Sequence, residues 1–351
     1  MEFEREVWQC PACRRSHAPV DLALGARPGS KWTGGVERKA AYAAALSPFG
    51  DASAVLLELG GVEMSASEAD RLARLHGARI DARQRAEEEA YLAPVDPFHG
   101  GPAPSIRCER QVIEADATSV QTVADEENKS VYRGTVFDLA SRGKSDSGRR
   151  FISERLYTAS AEDMEDFGDR LKALAWRGGM RTARETAFIG DGARCLWKWA
   201  EENLPLGTTL IQDFWHVCEH LRALAEALDG ESWQGRFHRW KRWLLQSKLH
   251  RILREARKER EKRRGRAREL LDEQIAYLEA GRARMDYARY QREGWPIGSG
   301  AIEATCKHMV KERLCVTGAR WRRVNIPKML ALRVAIFNRE WEKYWQPAQA
   351  A

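Results

Sequence analysis

Asp116 falls inside the apolar run VIEADATSV, and Asp191 closes a second one, TAFIGDGA. A carboxylate in or at the end of a buried strand must be solvated, paired or bound to a cation, because burying an uncompensated charge costs several kcal/mol. Gly190 and Gly192 flank Asp191, so the backbone can turn sharply there and leave the carboxylate at a strand edge. A third acid, Glu303, lies one turn into the helix expected from GSGAIEATCKHMVKERL, on a face shared with Lys307 and with Val310 or Lys311. Taken alone, Glu303 reads more simply as an exposed partner in a surface ion pair. Three carboxylates together form an oxygen-rich set suited to Mg2+ or Mn2+, hard cations that keep waters for a substrate phosphate. Two such ions about 4 Å apart activate a water or a 3′-hydroxyl and stabilise the leaving oxygen of an in-line displacement at phosphorus.

Two other clusters carry ligand-type residues. His216-Val-Cys-Glu219-His220 fits the H-x-x-E-H pattern of zinc peptidases, with both His and the Glu on one helical face. A five-residue match arises by chance, however, and peptidase chemistry leaves the two strand acids unexplained. Cys10 and Cys13 in WQCPACRRSH make half of a zinc knuckle, which needs four ligands, and only His17 lies near them. A surface turn is the other reading of that segment.

The elements that must position the acids follow from the pattern. RQVIEADATSV, SVYRGTVFDLA and RRFISERLYTA are β-rich runs separated by turn-forming or charged residues, which predicts three successive antiparallel strands. A helix is predicted over AEDMEDFGDRLKALAWRGG, stopped by Gly178 and Gly179. A buried strand in ETAFIGDGA, a short helix from Cys195 to Glu202 and a fifth strand in GTTLIQDFWH complete a βββαβαβ order. In that order the first and fourth strands should be neighbours, so that Asp116 and Asp191 meet across the ladder. After Asp213 the chain reads as helical and rich in Trp and Arg as far as Tyr290, and EGWPIGSG then launches the helix of Glu303. Towards the N-terminus, helices are predicted over Gly34 to Leu46, Ala52 to Leu59 and Ser67 to Leu75. The last two are separated by GGVEMSA, with Gly60 as a stop and Ser65 or Ser67 as N-cap. Their helix-turn-helix outline serves plain packing or DNA contact.

The predicted fold class is therefore α/β, a mixed five-stranded sheet with an α-helical insertion and a small, mostly helical N-terminal region. The divisions are 1–20 (partial zinc-knuckle-like segment), 21–92 (helices), 93–108 (Pro/Gly-rich linker), 109–218 (sheet core), 219–293 (insertion) and 294–351 (C-terminal helices completing the core).

Composition narrows the partners. The chain of 351 residues carries a net charge of +7. The stretch Arg236 to Arg268 alone holds fifteen Lys/Arg against three Glu, so the remainder is mildly acidic. A basic arm on an acidic body suits an enzyme that grips DNA phosphates while reserving carboxylates for metal. The bland alternative is a solvated helix face laced with Glu/Arg pairs. Arg239, Lys241, Arg242, Lys248 and Arg251 in the arm, with Lys307, Lys311 and Arg320 further on, are the candidate DNA contacts. Trp233, Trp240 and Trp243 would stack on an unpaired base or form the insertion's core. The opening MEFEREVWQ has no apolar signal core, and no apolar run reaches the roughly 18 residues of a membrane span. Of seven cysteines, five are scattered singly, as reduced thiols are, so cytoplasm is the expected compartment.

The motifs IEADATSV, FIGDGARCLW, QDFWHVCEHL and WPIGSGAIEATCKHMVKERLCVTGARW resemble the ISKra family of bacterial insertion-sequence transposases, related to the Mutator-like elements. The similarity extends from about Trp8 to Trp345. It implies an RNase H-like fold with a helical insertion between the second Asp and the Glu, and metal-dependent transposition with Asp116, Asp191 and Glu303 as the catalytic, metal-holding DDE triad. By the same resemblance, DFWH is similar to the C/D-x-x-H motif of Mutator-like transposases, which makes Asp213 and His216 accessory residues; a core histidine beside a helix cap is the alternative. The implied cofactors are two Mg2+ or Mn2+ ions, with Zn2+ a candidate at Cys10 and Cys13. The implied partners are double-stranded DNA, as transposon ends and target, and further copies of the chain on that DNA, with no membrane and a nucleoid-associated location. In the family a further Cys pair precedes the segment of Cys10 and Cys13, so the chain looks abbreviated. Two other functions stay open: a catalytically silent DNA-binding descendant, and a structure-selective nuclease on the same fold.

Overall fold

The computed structural model describes residues 6–14, 16–17, 27, 30–95, 100–148 and 150–346, so part of the expected linker at 93–108 lies outside the described residues. The chain divides into two compact units, one made of residues 1–86, 120–129 and 308–351, the other of residues 87–119 and 130–307. The segment 294–351, read from the sequence as one piece, is thus shared between them.

In the first unit, helix α1 (Gly34–Leu46) is capped by Thr33, whose hydroxyl accepts from the Val36 amide. It buries the small residues Ala40, Ala41, Ala44 and Ala45. Helix α2 (Phe49–Gly60) stops at Gly61, which adopts φ +59°. The stop therefore comes one residue after the expected Gly60. Helix α3 (Ala66–Leu92) runs well beyond the expected Leu75, because Leu72, His76, Ile80 and Gln84 continue a buried stripe. Gly77 does not interrupt it. A Cβ there would lie 2.3 Å from the Lys328 carbonyl oxygen, so this glycine permits a close approach of the C-terminal helix Ile326–Phe337. Arg313 and Arg333, both buried, donate to backbone carbonyls, including those of Ala44 and Ala45 in the last turn of α1.

The second unit is built on a mixed five-stranded sheet. Its strands are β1 (Arg110–Val120), β2 (Lys129–Asp138), β3 (Leu156–Ser160), β4 (Glu185–Gly190) and β5 (Thr209–Gln212), in the order β3-β2-β1-β4-β5. β2 and β3 are antiparallel, whereas β1 with β4 and β4 with β5 are parallel. Both faces are covered, which explains the nearly continuous apolar runs. Ile113, Ala115 and Phe188 pack on one side against Phe167 and Leu171 of α4 (Met164–Arg177) and Trp197 of α5 (Arg194–Asn203). Val112, Ala187 and Ile189, one step out of phase, face the other side and the insertion.

Two expected strands are shorter than the sequence suggests. In RRFISERLYTA, residues Arg150–Ile152 turn back on Arg142–Lys144 as a separate ribbon, and only Leu156–Ser160 joins the sheet. Polar Ser153 and Glu154 break the alternation between them. The fifth strand ends at Gln212 because Asp213 caps the next helix.

The insertion comprises α6 (Phe214–Asp229), α7 (Trp233–Leu245), α8 (Leu249–Glu261), α9 (Gly265–Ala280) and α10 (Tyr287–Arg292). Leu221, Leu224, Trp240, Leu244, Ile252 and Leu271 form its core. Of the two roles read for the tryptophans, the core is the one seen: Trp240 is fully buried, its indole donating to Glu255 at 2.9 Å, and Trp233 and Trp243 pack partly buried on the same cluster. Among the described residues, no helix is long and apolar enough to cross a membrane.

Candidate active site

The register of β1 against β4 pairs Ala115 with Gly190, so Asp116 is the next residue on β1 and Asp191 the first residue after β4. Gly192, at φ +113°, turns the chain immediately after the second acid, and a Cβ there would also press on the Tyr277 ring. Asp191 Oδ1 accepts from the Ala193 amide at 3.0 Å, and the Tyr277 hydroxyl of α9 donates to the Asp191 carbonyl at 3.1 Å. The insertion thus fixes the loop that carries the second acid.

Asp116 Oδ1 accepts from the Ala117 amide, while Oδ2 takes an ion pair from Arg133 on β2. Arg133 is buried, and its Nε and Nη1 have no hydrogen-bond partner among the described residues. Burial pushes the Asp116 carboxyl above its usual range; the Arg133 charge opposes this, and the Asp191 charge adds to it.

Glu303 sits exposed on α11 (Gly300–Thr305). Partial desolvation raises its pKa, and so do the charges of Asp213, Glu219 and Asp116. The helix continues not as an α-helix but as a π-helical turn, Cys306–Lys311, a distortion frequent at functional sites. The i, i+4 face expected for Glu303, Lys307 and Lys311 is therefore not kept as a regular stripe, and Val310 is fully buried. Glu114 holds this helix in place, and sequence reasoning passed it over. It stands two residues before Asp116, on the same face of β1, and its Oε2 accepts from the Ile302 amide at 2.8 Å. It is 1% exposed, and burial, reinforced by Asp213, pushes its carboxyl up to about 8. The available signal was its period-two spacing from Asp116 in IEAD.

Asp213 is buried and fully engaged. It caps α6 by accepting from the His216 amide at 2.8 Å, accepts also from the Ser299 amide, and donates its own N–H to the Gly190 carbonyl at 2.8 Å. It therefore ties the end of β4, the start of α6 and the turn before α11 together. His216 Nδ1 lies 3.4 Å from Glu219. His220 stacks on Tyr277 with ring centroids 3.6 Å apart and shares a hydrogen bond with Gln274, so the peptidase-like residues are engaged with protein neighbours.

Among the described residues, no three His, Cys, Asp or Glu side chains stand together as a ready metal-binding group. Cys10 and Cys13 are exposed, in the turn between Trp8–Gln9 and Ser16–His17, with the backbone and side chain of Cys13 hydrogen-bonded to the Cys10 sulfur and lowering its pKa. Of the candidate DNA contacts, Arg239 is ion-paired to Glu255, Lys248 donates to Gln246, and Lys241 lies over Trp215. Arg242, Arg251, Lys307 and Lys311 are exposed, and exposed Arg320 donates to Gln121. No protein-family model matches the chain, and no curated protein matches it either.

Proposed function

We propose that the protein is a DDE transposase of RNase H-like fold that cuts and rejoins the DNA of an insertion sequence, acting as a multimer on paired ends. The observation that carries this reading is the parallel β1/β4 register, which sets Asp116 beside Asp191 in the middle of a β3-β2-β1-β4-β5 sheet. Burial first, and the charges of other acids second, make Asp116 and Glu303 hold their protons more tightly, and a cation among them would offset both effects. A donor set of three carboxylates fits Mg2+ or Mn2+, and Asp116, Asp191 and Glu303 are the residues that would hold it. A metal held there would supply activation of a water or 3′-hydroxyl and charge stabilisation for the departing oxygen.

The chain's own residues set up the chemistry. Arg133 favours the ionised form of Asp116, and Tyr277 anchors the Asp191 loop. Glu114 and Asp213 fix the turn and helix that deliver Glu303. One observation favours the silent DNA-binding reading instead: Arg133 already occupies an oxygen of the first acid.

Incubation with Mn2+ and labelled duplexes carrying the DNA that flanks the gene separates the readings. Joined product supports the transposase, cutting without joining a nuclease, and binding without cutting the silent descendant. Product that persists in Asp116→Asn, Asp191→Asn and Glu303→Gln overturns the assignment of the acids.

A further inference from the structure

We propose that the sheet unit carries, beside the acids, a subsite for an unpaired strand of nucleic acid; the inference rests on the DNA-processing reading and names the form of substrate that the site takes. A cleft of about 950 Å3 has in its wall Glu114, two residues before Asp116, Gly300, three before Glu303, and Phe214, which follows Asp213. Four cations line it: Arg142 and Lys144 on the ribbon, Arg155 before β3, and Lys241 on α7. Two aromatic rings line it as well, Phe151 at 48% and Trp215 at 51% exposure.

Both rings are seated on glycine. A Cβ on Gly143, the cross-strand partner of Phe151, would lie 2.5 Å from the outer end of that ring. A Cβ on Gly298 would lie 2.7 Å from the indole Cδ1 of Trp215. Each ring is thereby set against bare backbone while about half of its residue surface remains in water. Two rings held in this way on one cleft offer stacking surfaces already ordered before a ligand arrives. The charge is placed to match, since Lys241 Nζ lies 4.5 Å from the Trp215 ring centroid. Rings beside cations meet the two chemical features of a nucleotide, a flat base and a phosphate. Only an unpaired strand presents base faces, because in a duplex they are stacked on each other.

The test is equilibrium binding of the full chain, in EDTA, to a labelled single strand of about 12 nucleotides and to the corresponding duplex. Trp215→Ala and Phe151→Ala should each weaken single-strand binding about 5- to 100-fold, and Trp215→Phe should restore most of it. Arg142→Ala, Lys144→Ala and Arg155→Ala together should flatten the salt dependence by about 0.7 per cation removed. Gly298→Ala, which displaces the Trp215 ring, should act in the same direction as Trp215→Ala. Unchanged single-strand affinity in the ring variants, or equal losses for single strand and duplex, overturns the subsite. The metal-free assay keeps the two readings apart: an active enzyme without single-strand preference sinks only the subsite, and ring-dependent strand binding without cutting sinks only the reaction.

Discussion

Glu37 in the unit of N-terminal helices and Glu114 in the sheet unit are each 1% exposed, yet their carboxyls move in opposite directions. Burial raises both. Around Glu37 it is outweighed by donors: Arg27 makes two hydrogen bonds at 2.6 and 2.7 Å, Ser30 one at 2.5 Å and His76 one at 2.8 Å, and the pKa falls to about 2. Glu114 receives the Ile302 amide, feels the charge of Asp213, and is pushed up to about 8. Asp116 and Glu303 shift in the same upward direction. An acid saturated with donors is architecture. Acids gathered around one another strain the fold unless a cation or a proton joins them, and such sites are where function is found.

If the proposed reaction is the protein's activity, neutralising Asp116, Asp191 or Glu303 should remove it and leave the fold intact. Asp191→Asn is expected to lower Mn2+-dependent cleavage on the order of 1000-fold, the several kcal/mol that a held metal supplies. Its thermal midpoint should stay level or rise, because a repulsive charge is gone. A variant that loses cleavage only by unfolding would erase the contrast between the units.

Glu37→Gln should do the reverse, leaving cleavage per folded molecule unchanged and costing about 3 kcal/mol in urea unfolding, since it breaks a buried charged network. The same contrast sets opposite pH dependences. The Glu37 pKa drops on folding from 4.5 to about 2, so its contribution is complete above 4.5 and is lost as pH falls towards 2, about 3 kcal/mol in all. His76, lowered mainly by burial, adds an earlier loss as pH falls below its unfolded value of 6.5. The Glu114 pKa rises on folding, so its contribution is complete below 4.5 and is lost as pH climbs from there through about 8. Hydrogen exchange followed separately in the two units should show the first softening as pH falls below 4.5 and the second as pH rises from 4.5 to about 8. Both softening at the same end would end the comparison.

The sequence revealed more of the sheet unit than of the helical one, for a physical reason. Period-two runs with a glycine on each side of Asp191 announce a buried parallel strand and its edge, and the neighbouring places of Asp116 and Asp191 follow from strand order alone. Glu114 raises the same demand for a partner as Asp116 in the same run, but its partner, an amide 188 residues away, is not legible in the sequence. The expected end of α3 at Leu75 falls short because the helix continues through Gly77, which permits the close approach of Lys328. Gly77→Ala tests this: it should improve helix propensity yet destabilise the first unit by about 1–3 kcal/mol, because the new methyl meets backbone. A stabilised variant would return Gly77 to the role of a weak point in the helix.

The basic arm shows the same distinction between satisfied and unsatisfied charge at the surface. Arg236, Arg239, Arg257 and Arg260 are engaged by Asp229, Glu255, Glu279 and Asp272. Arg242 and Arg251 are exposed, and among the described residues neither is ion-paired. Free surface charge contributes little to folding, so Arg242→Ala and Arg251→Ala should each change stability by no more than about 0.5 kcal/mol. If duplex DNA lies along this face, each should lower the salt slope of duplex binding by about 0.9. Arg239→Ala should lower it less, because Glu255 already offsets that charge in the free protein. Equal slopes for all three would mean that DNA displaces the internal partners, and that the pairing seen in the free chain does not decide which cations reach phosphate.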